Sequence, residues 1–526
     1  MPKQFNTAGP CKPDIHYMLS PTARLPELKA LIDGQNYFVL HAPRQTGKTT
    51  AMMTLAQQLT ASGDYTAIVL SVETGAAFKH DPILAQKYII RNWISTTKVL
   101  LPGDLQPPKL RDIQEEMGLI DPNDLDITIY LQSWAIASPR SLVIFLDEID
   151  SLEDETLITV LRQLRTGFPL RPQGFPHSLA LIGVRDVRDY KVASGGSPRL
   201  NTASPFNIKS ESFTLSNFTL EEVTALYHQH TQATGQVFLP EAIALVFDLT
   251  QGQPWLVNAI ARQLVEVFVP DPTQAITVDD VLQAKERIIQ RQETHLDSLV
   301  KRLREPEIQA IFEPMLAGDA LGSIPEDDVQ LLLDLGLCRL QNGGGLQVAN
   351  PIYQEIIPRV LAYVTTASLP APTIHPRWLT SEGSLNPEAL LESFLDFWRQ
   401  HGEPLFRSTP YPEIAPHLVL MAFLHRVVNG GGTLEREYAI GSGRMDLCLR
   451  YGTVTIAMEL KVWKEGKKDP LTEGLKQLDK YLSGLGLDTG WLVIFDRRPD
   501  LPPLSDRTTT ELAISPAGRS ITVIRG

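Results

Sequence analysis

The stretch Tyr37 to Gln58, which reads YFVLHAPRQTGKTTAMMTLAQQ, decides the fold of the first part of the chain. Its apolar beginning predicts a buried strand, and the apolar residues after Thr49 recur at the spacing of one helix face. The loop between strand and helix ends in Gly-Lys-Thr. Glycine adopts backbone angles that other residues resist, and a helix N-terminus presents free N–H groups to an anion. The stretch therefore predicts a strand, a phosphate-binding loop and a helix.

This loop matches the Walker A pattern, which is Gly, four residues and Gly-Lys-Ser/Thr, except that Ala42 takes the first position. We expect Lys48 to contact the β- and γ-phosphates of ATP and the Thr49 hydroxyl to bind Mg²⁺. A chance Gly-Lys-Thr in an ordinary turn is the alternative, which the flanking strand and helix disfavour. The predicted nucleotide contacts are Ala42, Pro43, Arg44, Gln45, Thr46, Gly47, Lys48, Thr49 and Thr50.

A later strand ends in the carboxylates that such a site needs. The sequence SLVIFLDEID, from Ser141 to Asp150, contains five consecutive apolar residues, as expected of a strand buried on both faces of a parallel sheet. At its end we expect Asp147 to hold Mg²⁺ together with Thr49, and Glu148 to polarise the water that attacks the phosphate. Two solvated turn carboxylates are the alternative.

A positive charge is also expected near the γ-phosphate. Arg185 follows the strand predicted at Leu179 to Val184 and is the main candidate. Arg188, Arg162 and Arg165 are alternatives. Glu73, after the strand predicted at Thr66 to Val72, is a further site candidate because ligands of open α/β sheets bind at the carboxyl ends of the strands.

The order of these segments resembles the AAA-like and STAND-like P-loop ATPases. HAPRQTGKTT, FLDEID and LIGVRD are followed by FTLEEV, which contains a helix-starting capping box, and by QGQPWLVNAIA. The resemblance covers about residues 10 to 300 and implies a parallel sheet in which one strand separates the two Walker strands, followed by a helical lid. It also implies that Gly252 and Pro254 approach the nucleotide and that Arg185 is the arginine ending the fourth strand.

Length and composition limit the class of protein. A chain of 526 residues predicts several domains, because single cores rarely exceed about 250 to 300 residues. No apolar run approaches the roughly 20 residues that cross a bilayer, and the N-terminus lacks the apolar segment of a secretory signal. The three cysteines are scattered, which favours neither disulfides nor zinc. We therefore expect a cytoplasmic protein without membrane contact, whose net charge of −13 confines nucleic-acid binding to a local patch.

Residues 301–364 show the helix, helix, hairpin, helix order of a winged helix. A DNA-reading winged helix needs basic residues on its recognition helix, whereas this one begins with Glu326, Asp327 and Asp328. We expect this connector to contact protein, with DNA reading as the alternative. Residues 365–384 are rich in Pro, Ser and Thr and predict a linker.

A second group of catalytic residue types follows the linker. The segments GRMD and MELK place Asp446 at the start of a predicted hairpin strand and Glu459 and Lys461 on the next strand. Because side chains alternate along a strand, Glu459 and Lys461 share a face, where Asp446 can meet them. The two carboxylates can bind Mg²⁺ or Mn²⁺, and the lysine can orient or activate water that attacks a phosphodiester.

Farther on, QLDKY places Gln477 and Tyr481 four residues apart, on one face of a helix. With the strand LVIFD after it, this order resembles the PD-(D/E)xK nuclease superfamily, including RecB-like members with a Gln-x-x-x-Tyr helix. The resemblance covers about residues 385 to 500 and implies catalytic roles for Asp446, Glu459, Lys461, Gln477 and Tyr481. Glu413 and His417 are candidates for a further polar residue.

We therefore predict a multidomain α/β protein: a P-loop ATPase core at 1–208, a helical lid at 209–300, a winged-helix-like domain at 301–364, a linker at 365–384 and a PD-(D/E)xK nuclease-like domain at 385–526. The predicted function is ATP binding and hydrolysis coupled to metal-dependent cleavage of nucleic acid, with DNA expected, in prokaryotic defence or DNA processing. A homo-oligomer is compatible with this interpretation. The alternatives are a nucleotide-switched signalling or scaffold protein with an inactive nuclease-like domain, and a DNA translocase.

Overall fold

The structure, a computed structural model, describes residues 3–118, 121, 125–185, 208–291, 302–303, 305–317, 324–341, 345–357, 361, 377–408, 414–428, 432–440 and 443–526. Among the sequence predictions, Arg188, Glu413 and most of the linker lie outside the described residues. Contacts group the chain into two compact units, Met1–His295 with Pro325–Asn350 and Leu296–Ile324 with Pro351–Gly526. The predicted domain boundaries remain predictions, and the stretch 301–364 is divided between the two units.

The regular elements are numbered in chain order. The strands are β1 Tyr37–His41, β2 Tyr65–Ser71, β3 Ser141–Asp147, β4 Ser178–Gly183, β5 Lys209–Thr214, β6 Cys338–Leu340, β7 Leu346–Val348, β8 Gly432–Ile440, β9 Gly443–Tyr451, β10 Val454–Trp463, β11 Thr489–Asp496, β12 Thr509–Ile514 and β13 Ser520–Arg525. The helices are α1 Glu27–Asp33, α2 Lys48–Ser62, α3 Pro82–Leu100, α4 Leu110–Met117, α5 Ile127–Ala137, α6 Asp154–Gly167, α7 Leu220–Thr234, α8 Pro240–Thr250, α9 Pro254–Gln263, α10 Val278–Arg291, α11 Pro306–Ala317, α12 Glu326–Asp334, α13 Pro387–Ser408, α14 Ala415–Val428, α15 Leu471–Leu485 and α16 Leu504–Arg507.

The first unit is built on a five-stranded parallel sheet in the order β2-β3-β4-β1-β5. The parallel sheet is confirmed, and β4 separates the two Walker strands β1 and β3 as the resemblance implied. Strand β5 was not predicted. Its sequence, KSESFT, has too few apolar residues to signal a buried strand, and it pairs with β1 at the edge of the sheet.

Both faces of this sheet are buried, which explains the continuous apolar runs of its strands. Along β1, Tyr37 and Val39 enter one hydrophobic cluster, which includes residues of α3, α5 and α6. Phe38 and Leu40 enter the cluster on the other face, which includes residues of α1 and α2. This alternation anchors β1 from both sides, so the loop that follows it starts from a rigid strand.

The helices α7 to α10 form the part predicted as a lid. The capping box at the start of α7 is confirmed, because Thr219 Oγ1 accepts from the Glu222 N–H at 3.2 Å while Glu222 Oε2 accepts from the Thr219 N–H at 2.9 Å. Before α9, the Gly252 carbonyl accepts a 2.8 Å hydrogen bond from the Phe218 N–H. This bond joins the turn between α8 and α9 to the segment that leads from β5 to α7.

Helix α12 and the antiparallel hairpin of β6 and β7 belong to the first unit. Gly336, between α12 and β6, lies so close to Pro43 that a Cβ atom at 336 would be 2.7 Å from the Pro43 side chain. Arg339 on β6 donates to Gln251 Oε1 in the turn after α8. This part of the predicted winged-helix-like domain therefore contacts both the loop after β1 and the lid turn.

The second unit contains a six-stranded mixed sheet in the order β12-β13-β11-β10-β9-β8. Strands β8, β9 and β10 are antiparallel, whereas β10, β11 and β13 run parallel. Helix α15 packs on this sheet through Leu478 and Leu482, against Leu492 and Val523 among others. Strands β12 and β13 were not predicted, and β12 is an edge strand whose six residues are largely exposed. No helix in the described parts of the chain has the length and apolar character to cross a membrane.

We predict that Gly252→Ala destabilises the first unit far more than Gly235→Ala does. Both glycines have left-handed backbones, with φ of 70° and 83°, so both substitutions carry a backbone cost of roughly 1–2 kcal/mol. Only at Gly252 would the new Cβ clash, 1.8 Å from the Phe218 carbonyl oxygen, whereas nothing lies within 4 Å at Gly235. Thermal unfolding of the two variants measures the difference, and equal midpoints would contradict the packing of the lid turn.

Candidate functional site

The loop from Ala42 to Thr49 lies at the edge where the parallel strands of the first unit end. Gly47 has a φ of 94° and Gln45 a φ of 61°, both in the left-handed region. Thr46 is buried, and its Oγ1 donates to the Pro43 carbonyl at 2.9 Å. Helix α2 begins at Lys48, directly after Gly47, so the first N–H groups of the helix adjoin the loop. This is the arrangement that binds phosphate in P-loop proteins.

The Lys48 ammonium lies inside the loop. Its Nζ donates to the carbonyls of Ala42 at 2.6 Å and Pro43 at 2.8 Å. Burial lowers the pKa of Lys48 to about 8, although the carboxylates of Asp150 and Asp147 favour its charged form. Phosphate oxygens would give this ammonium charged hydrogen-bond acceptors, which bind more strongly than neutral carbonyls.

Thr49 at the start of α2 and Asp147 at the end of β3 are joined by a hydrogen bond. Thr49 Oγ1 donates to Asp147 Oδ2 at 2.7 Å, and Asp147 Oδ1 accepts from the Glu148 N–H at 2.9 Å. Burial raises the pKa of Asp147, while the two hydrogen bonds favour its ionised form. A hydroxyl and a carboxylate oxygen at this separation are hard ligands, so the pair fits Mg²⁺, which in such sites keeps several waters.

Glu148 has an unusual backbone. Its φ of 61° is left-handed, a conformation that is strained for residues other than glycine and that clusters at functional sites. Its Oε2 accepts from the Ser71 hydroxyl at 2.8 Å, at the end of β2. Burial, together with the nearby charges of Glu73 and Asp147, raises the pKa of Glu148. A raised pKa makes a carboxylate a better proton acceptor.

Three further residues were predicted to contact the nucleotide, namely Arg185, Gly252 and Pro254. Arg185 is half-buried and follows β4, the strand between the two Walker strands. The residue before it, Val184, donates its N–H to the Asp150 carboxylate in a weak 3.3 Å hydrogen bond. Pro254 lines the cavity beside the loop, and Gly252 lies two residues before it. The roles of Arg185, Gly252 and Pro254 toward a nucleotide remain predictions.

A cavity of about 290 Å³ adjoins the loop and is lined by four parts of the chain, one of which contributes Leu215, Phe218 and Leu226. Two of them, the loop with α2 and the lid residues Pro254, Trp255 and Asn258, include predicted segments. The last is the N-terminal stretch, residues 6–11, 17–19, 21 and 24, in which the sequence offers only Tyr17 and Arg24 as contacts of the adenine or ribose, with a packing role as the favoured alternative. These residues form one wall of a space that can take the base and sugar of a nucleotide.

The N-terminal stretch is held at both ends of this cavity. The Cys11 N–H donates to Thr50 Oγ1 at 3.0 Å, at the start of α2. Thr7 receives two hydrogen bonds of 2.9 Å from the lid helix α9, from Trp255 Nε1 to its carbonyl and from Arg262 Nη1 to its hydroxyl. The sequence NTAGPCKP has no periodicity, so only the flanking aromatics Phe5 and Tyr17 could have signalled that this segment is buried.

In the second unit, Asp446, Glu459 and Lys461 lie close together. Asp446 Oδ2 accepts from the Leu460 N–H at 2.7 Å, and Lys461 Nζ donates to Glu459 Oε1 at 2.8 Å. Glu459 is 3% exposed, and its Oε2 has no hydrogen-bond partner among the described residues. Burial and the charge of Asp446 raise the pKa of Glu459 to about 7, against the opposing effect of Lys461.

Helix α15 brings Gln477 near this group. Gln477 Nε2 donates to Glu473 Oε1 at 3.3 Å, and Gln477 Oε1 is buried without a partner in the described part of the chain. The charge of Glu473 contributes to the raised pKa of both Glu459 and Lys461, so Glu473 belongs to the same site. The sequence reading missed it, although it precedes Gln477 by four residues and thus shares its helix face. Tyr481, four residues later, packs against the core of the sheet.

The donor set of the second site fits a hard divalent cation. Asp446 and Glu459 supply carboxylates, and the unpartnered Glu459 Oε2 is a buried acceptor that a cation would satisfy. No group of three or more His, Cys, Asp or Glu side chains placed to hold a metal occurs among the described residues. Mg²⁺ needs only one or two carboxylates when water and substrate phosphate complete its shell. His417, the other candidate, is buried with its ring 5.5 Å from that of Phe495.

A family model described as an AAA-like domain matches residues 29–357, more than half of the chain. The chain therefore belongs to the AAA-like domain family, whose P-loop fold implies binding of ATP, usually with Mg²⁺. The match ends before the six-stranded sheet. No curated protein matches the chain.

Solved structures similar to the chain share little sequence with it. A Walker-type ATPase of Pyrococcus abyssi is 13% identical with a TM-score of 0.45, covering 67% of this chain and 99% of its own. The RuvB Holliday junction branch migration motor of Thermotoga maritima is 14% identical with a TM-score of 0.32, covering 62% of this chain and 90% of its own. The ORC2 protein of Aeropyrum pernix is 15% identical with a TM-score of 0.34, covering 66% and 95%.

We predict that Lys48→Ala weakens ATP binding by roughly 10- to 100-fold, because a hydrogen bond to a charged group contributes about 1.5–3 kcal/mol. Calorimetric titration with ATP and Mg²⁺ measures the loss. Lys29→Ala is the matched control, since Lys29 is exposed and pairs with Asp33 on α1. Unchanged affinity in Lys48→Ala would contradict the assignment of the loop.

Proposed function

We propose that this member of the AAA-like domain family binds and hydrolyses ATP in its first unit and cleaves nucleic acid with a divalent metal in its second. The ATPase half is supported by the contact of Thr49 with Asp147 at 2.7 Å. The nuclease half, which lies beyond the family match, is carried by one observation. The buried Glu459 carboxylate, with one oxygen lacking a partner among the described residues, lies beside Asp446 and Lys461.

In the first unit, Thr49 and Asp147 would hold Mg²⁺, which when bound neutralises charge on the β- and γ-phosphates. Lys48 exchanges its two carbonyl acceptors for phosphate oxygens. Glu148 accepts a proton from the attacking water, and the Ser71 hydroxyl holds its carboxylate in place. Arg185 would neutralise charge that develops on the γ-phosphate as the bond to the leaving oxygen breaks.

In the second unit, Asp446 and Glu459 would hold Mg²⁺ or Mn²⁺, which when bound polarises the phosphodiester and its attacking water. Burial alone would lower the pKa of Lys461, but the carboxylates of Glu459 and Asp446 raise it above its ordinary value. Lys461 therefore stays charged at neutral pH. Its role is to orient water and stabilise negative charge on the phosphate oxygens rather than to accept a proton. Gln477 and Tyr481 would contact the substrate from α15.

A second function is favoured by one observation. No cluster of three or more metal-ligating side chains occurs among the described residues, an arrangement that a nuclease-like fold without metal chemistry would also show. In that case the protein is a nucleotide-switched signalling or scaffold ATPase, and the second unit binds a partner. Both functions share the ATPase and differ only in the activity of the second unit.

The substrate and setting follow from the family resemblances. We infer that the nucleic acid is DNA, that the protein acts in the cytoplasm, and that it serves prokaryotic defence or DNA processing. An ATPase of this kind is compatible with a homo-oligomer, in which Arg162 or Arg165 of one copy could reach the nucleotide of another. Sedimentation of the full chain with and without ATP tests the oligomer.

Glu148→Gln should preserve ATP binding and lower turnover by about 10²- to 10⁴-fold, because the amide keeps the shape of the side chain but cannot accept the proton. Steady-state phosphate release and ATP titration measure the two effects. Glu155→Gln makes the same change at an exposed position of α6 and should behave as wild type. Normal turnover in Glu148→Gln would remove Glu148 from the mechanism.

Asp446→Ala, Glu459→Ala and Lys461→Ala should each abolish cleavage of labelled DNA while ATP turnover remains within about twofold of wild type, because the sites belong to different units. The first two remove metal ligands and the third removes the charge facing the phosphate. Asp488→Ala and Lys476→Ala, at exposed positions of the second unit, are matched controls. A wild-type protein inert on DNA and RNA with Mg²⁺ or Mn²⁺ would contradict the nuclease function and favour the scaffold function.

The same assay tests whether ATP controls cleavage. Coupling between two sites typically changes an affinity by about 5- to 150-fold, so cleavage should differ several-fold among protein without nucleotide, with ATP and with a non-hydrolysable analogue. Identical cleavage in all three states would mean that the two activities are independent.

A further inference from the structure

Three parallel strands of the second unit end at one edge of the sheet. Strand β10 ends at Trp463, β11 at Asp496 and β13 at Arg525, and Trp463 is the register partner of Asp496. Because side chains repeat every two residues, Trp463 lies on the face that carries Glu459 and Lys461. Two residues of strand span roughly 7 Å, so Trp463 is the next side chain beyond Lys461 along that face.

The Trp463 ring is covered by a guanidinium group in a fixed position. The Arg498 Cζ atom lies 3.6 Å from the ring centroid. Arg498 Nε donates to Asp496 Oδ1 at 2.9 Å and Nη2 donates to Oδ2 at 2.7 Å, so one edge of the guanidinium is bonded bidentately to one carboxylate. Trp463 Nε1 donates to the Lys467 carbonyl at 3.0 Å. The indole ring and the guanidinium group are thus each held by hydrogen bonds within the protein. The Arg498 side chain keeps 38% of its surface exposed.

The charge around this stack differs from that of the chain as a whole. Residues 443–526 contain 13 Lys and Arg and 11 Asp and Glu, a balance of +2, whereas the full chain carries −13. Arg498 is neutralised by Asp496, and Arg525 pairs with Asp469 at 3.0 Å and with Glu511 at 3.1 Å. Lys467 and Lys468, in the loop after Trp463, are exposed and form no ion pair with the described residues. The stack of Trp463 and Arg498 is therefore nearly neutral, and the positive charges of Lys467 and Lys468 lie in the adjoining loop.

We propose that Trp463 and Arg498 form a stacking subsite for an unpaired base of the strand being cleaved, and that Lys467 and Lys468 contact its phosphates. This subsite rests on the proposed nuclease function. Bases stack on aromatic rings and on guanidinium planes, and such stacking tolerates any base. The roughly 7 Å from Lys461 corresponds to about two nucleotides of stacked strand at ~3.4 Å each. A base inside a duplex already stacks on its neighbours, so the subsite selects single-stranded or frayed nucleic acid.

The stack could instead have a purely structural role and hold the ends of β10 and β11 together. In that case its loss would affect binding of a strand with bases and of a strand without bases equally. The full chain is titrated in EDTA, which prevents cleavage, against two fluorescein-labelled 20-nucleotide strands, oligo-dT and a strand of abasic spacers. Wild type should bind oligo-dT more tightly. Trp463→Leu and Arg498→Lys should weaken binding of oligo-dT by about 5- to 150-fold and leave binding of the abasic strand within twofold of wild type.

Matched variants separate stacking from folding. Trp463→Phe should retain most of the affinity for oligo-dT, because it keeps an aromatic face. Trp378→Leu and Arg519→Lys make the same changes elsewhere in the second unit, where Trp378 packs on Phe423 and Arg519 pairs with Asp479, and should bind as wild type. If Trp463→Leu lowers the thermal unfolding midpoint, Arg498→Lys, which preserves the charge, still decides the question.

The outcomes distinguish the two proposals. Equal affinity of wild type and Arg498→Lys for oligo-dT, or equal losses on both strands, would overturn the stacking subsite, while cleavage by wild type with Mg²⁺ would leave the nuclease standing. A wild type that neither binds nor cleaves DNA or RNA would overturn the nuclease and the subsite together.

Discussion

The hydrogen bond between Thr49 and Asp147 depends on the whole sheet of the first unit. The two residues follow strands that are not neighbours, since β4 lies between β1 and β3. Their meeting therefore requires that β4 hold its register with both strands, and apolar side chains packed on the two faces fix that register. A shift of one residue in β4 would reverse its side chains and move one carboxyl end away from the other. The core thus determines the geometry in which a phosphate and a cation can be held.

The central strands of this sheet and the polar residues at their ends could be predicted from the sequence. Strands buried on both faces must be apolar throughout, so β1, β2, β3 and β4 appear as continuous runs, and a polar residue at their ends stands out. Strands β5 and β12 have no such signal, because the sequence KSESFT of β5 is largely polar and the residues of β12 are largely exposed. The N-terminal wall of the cavity was not predictable either, because Thr7 and Cys11 act mainly through backbone groups, and any residue except proline has the same N–H and carbonyl.

The two sites differ in how the protein stabilises a buried carboxylate. Asp147 and Glu459 are both buried at strands of a parallel pair, and burial raises the pKa of each. The Asp147 carboxylate accepts hydrogen bonds from a hydroxyl and a backbone N–H. One oxygen of Glu459 accepts a hydrogen bond from Lys461, and the other has no hydrogen-bond partner among the described residues. The sequence predicted these pairs from residue spacing. Helix spacing places Glu473 on the same face as Gln477, but only the docking of α15 on the sheet brings the charge of Glu473 near Glu459.

Chain connectivity limits how nucleotide could influence the second unit. Helix α12 and the hairpin that follows it belong to the first unit, where Gly336 adjoins Pro43 of the phosphate loop and Arg339 bonds Gln251 of the lid turn. The chain comes to this segment from Leu296–Ile324 and leaves it for Pro351–Gly526, both parts of the second unit. A nucleotide that moves Pro43 or the lid turn therefore acts on a segment covalently joined at both ends to the second unit. ATP can change the equilibrium between two arrangements of that segment only if it binds one of them more tightly. The difference in binding free energy sets the upper limit on how strongly ATP controls the second site.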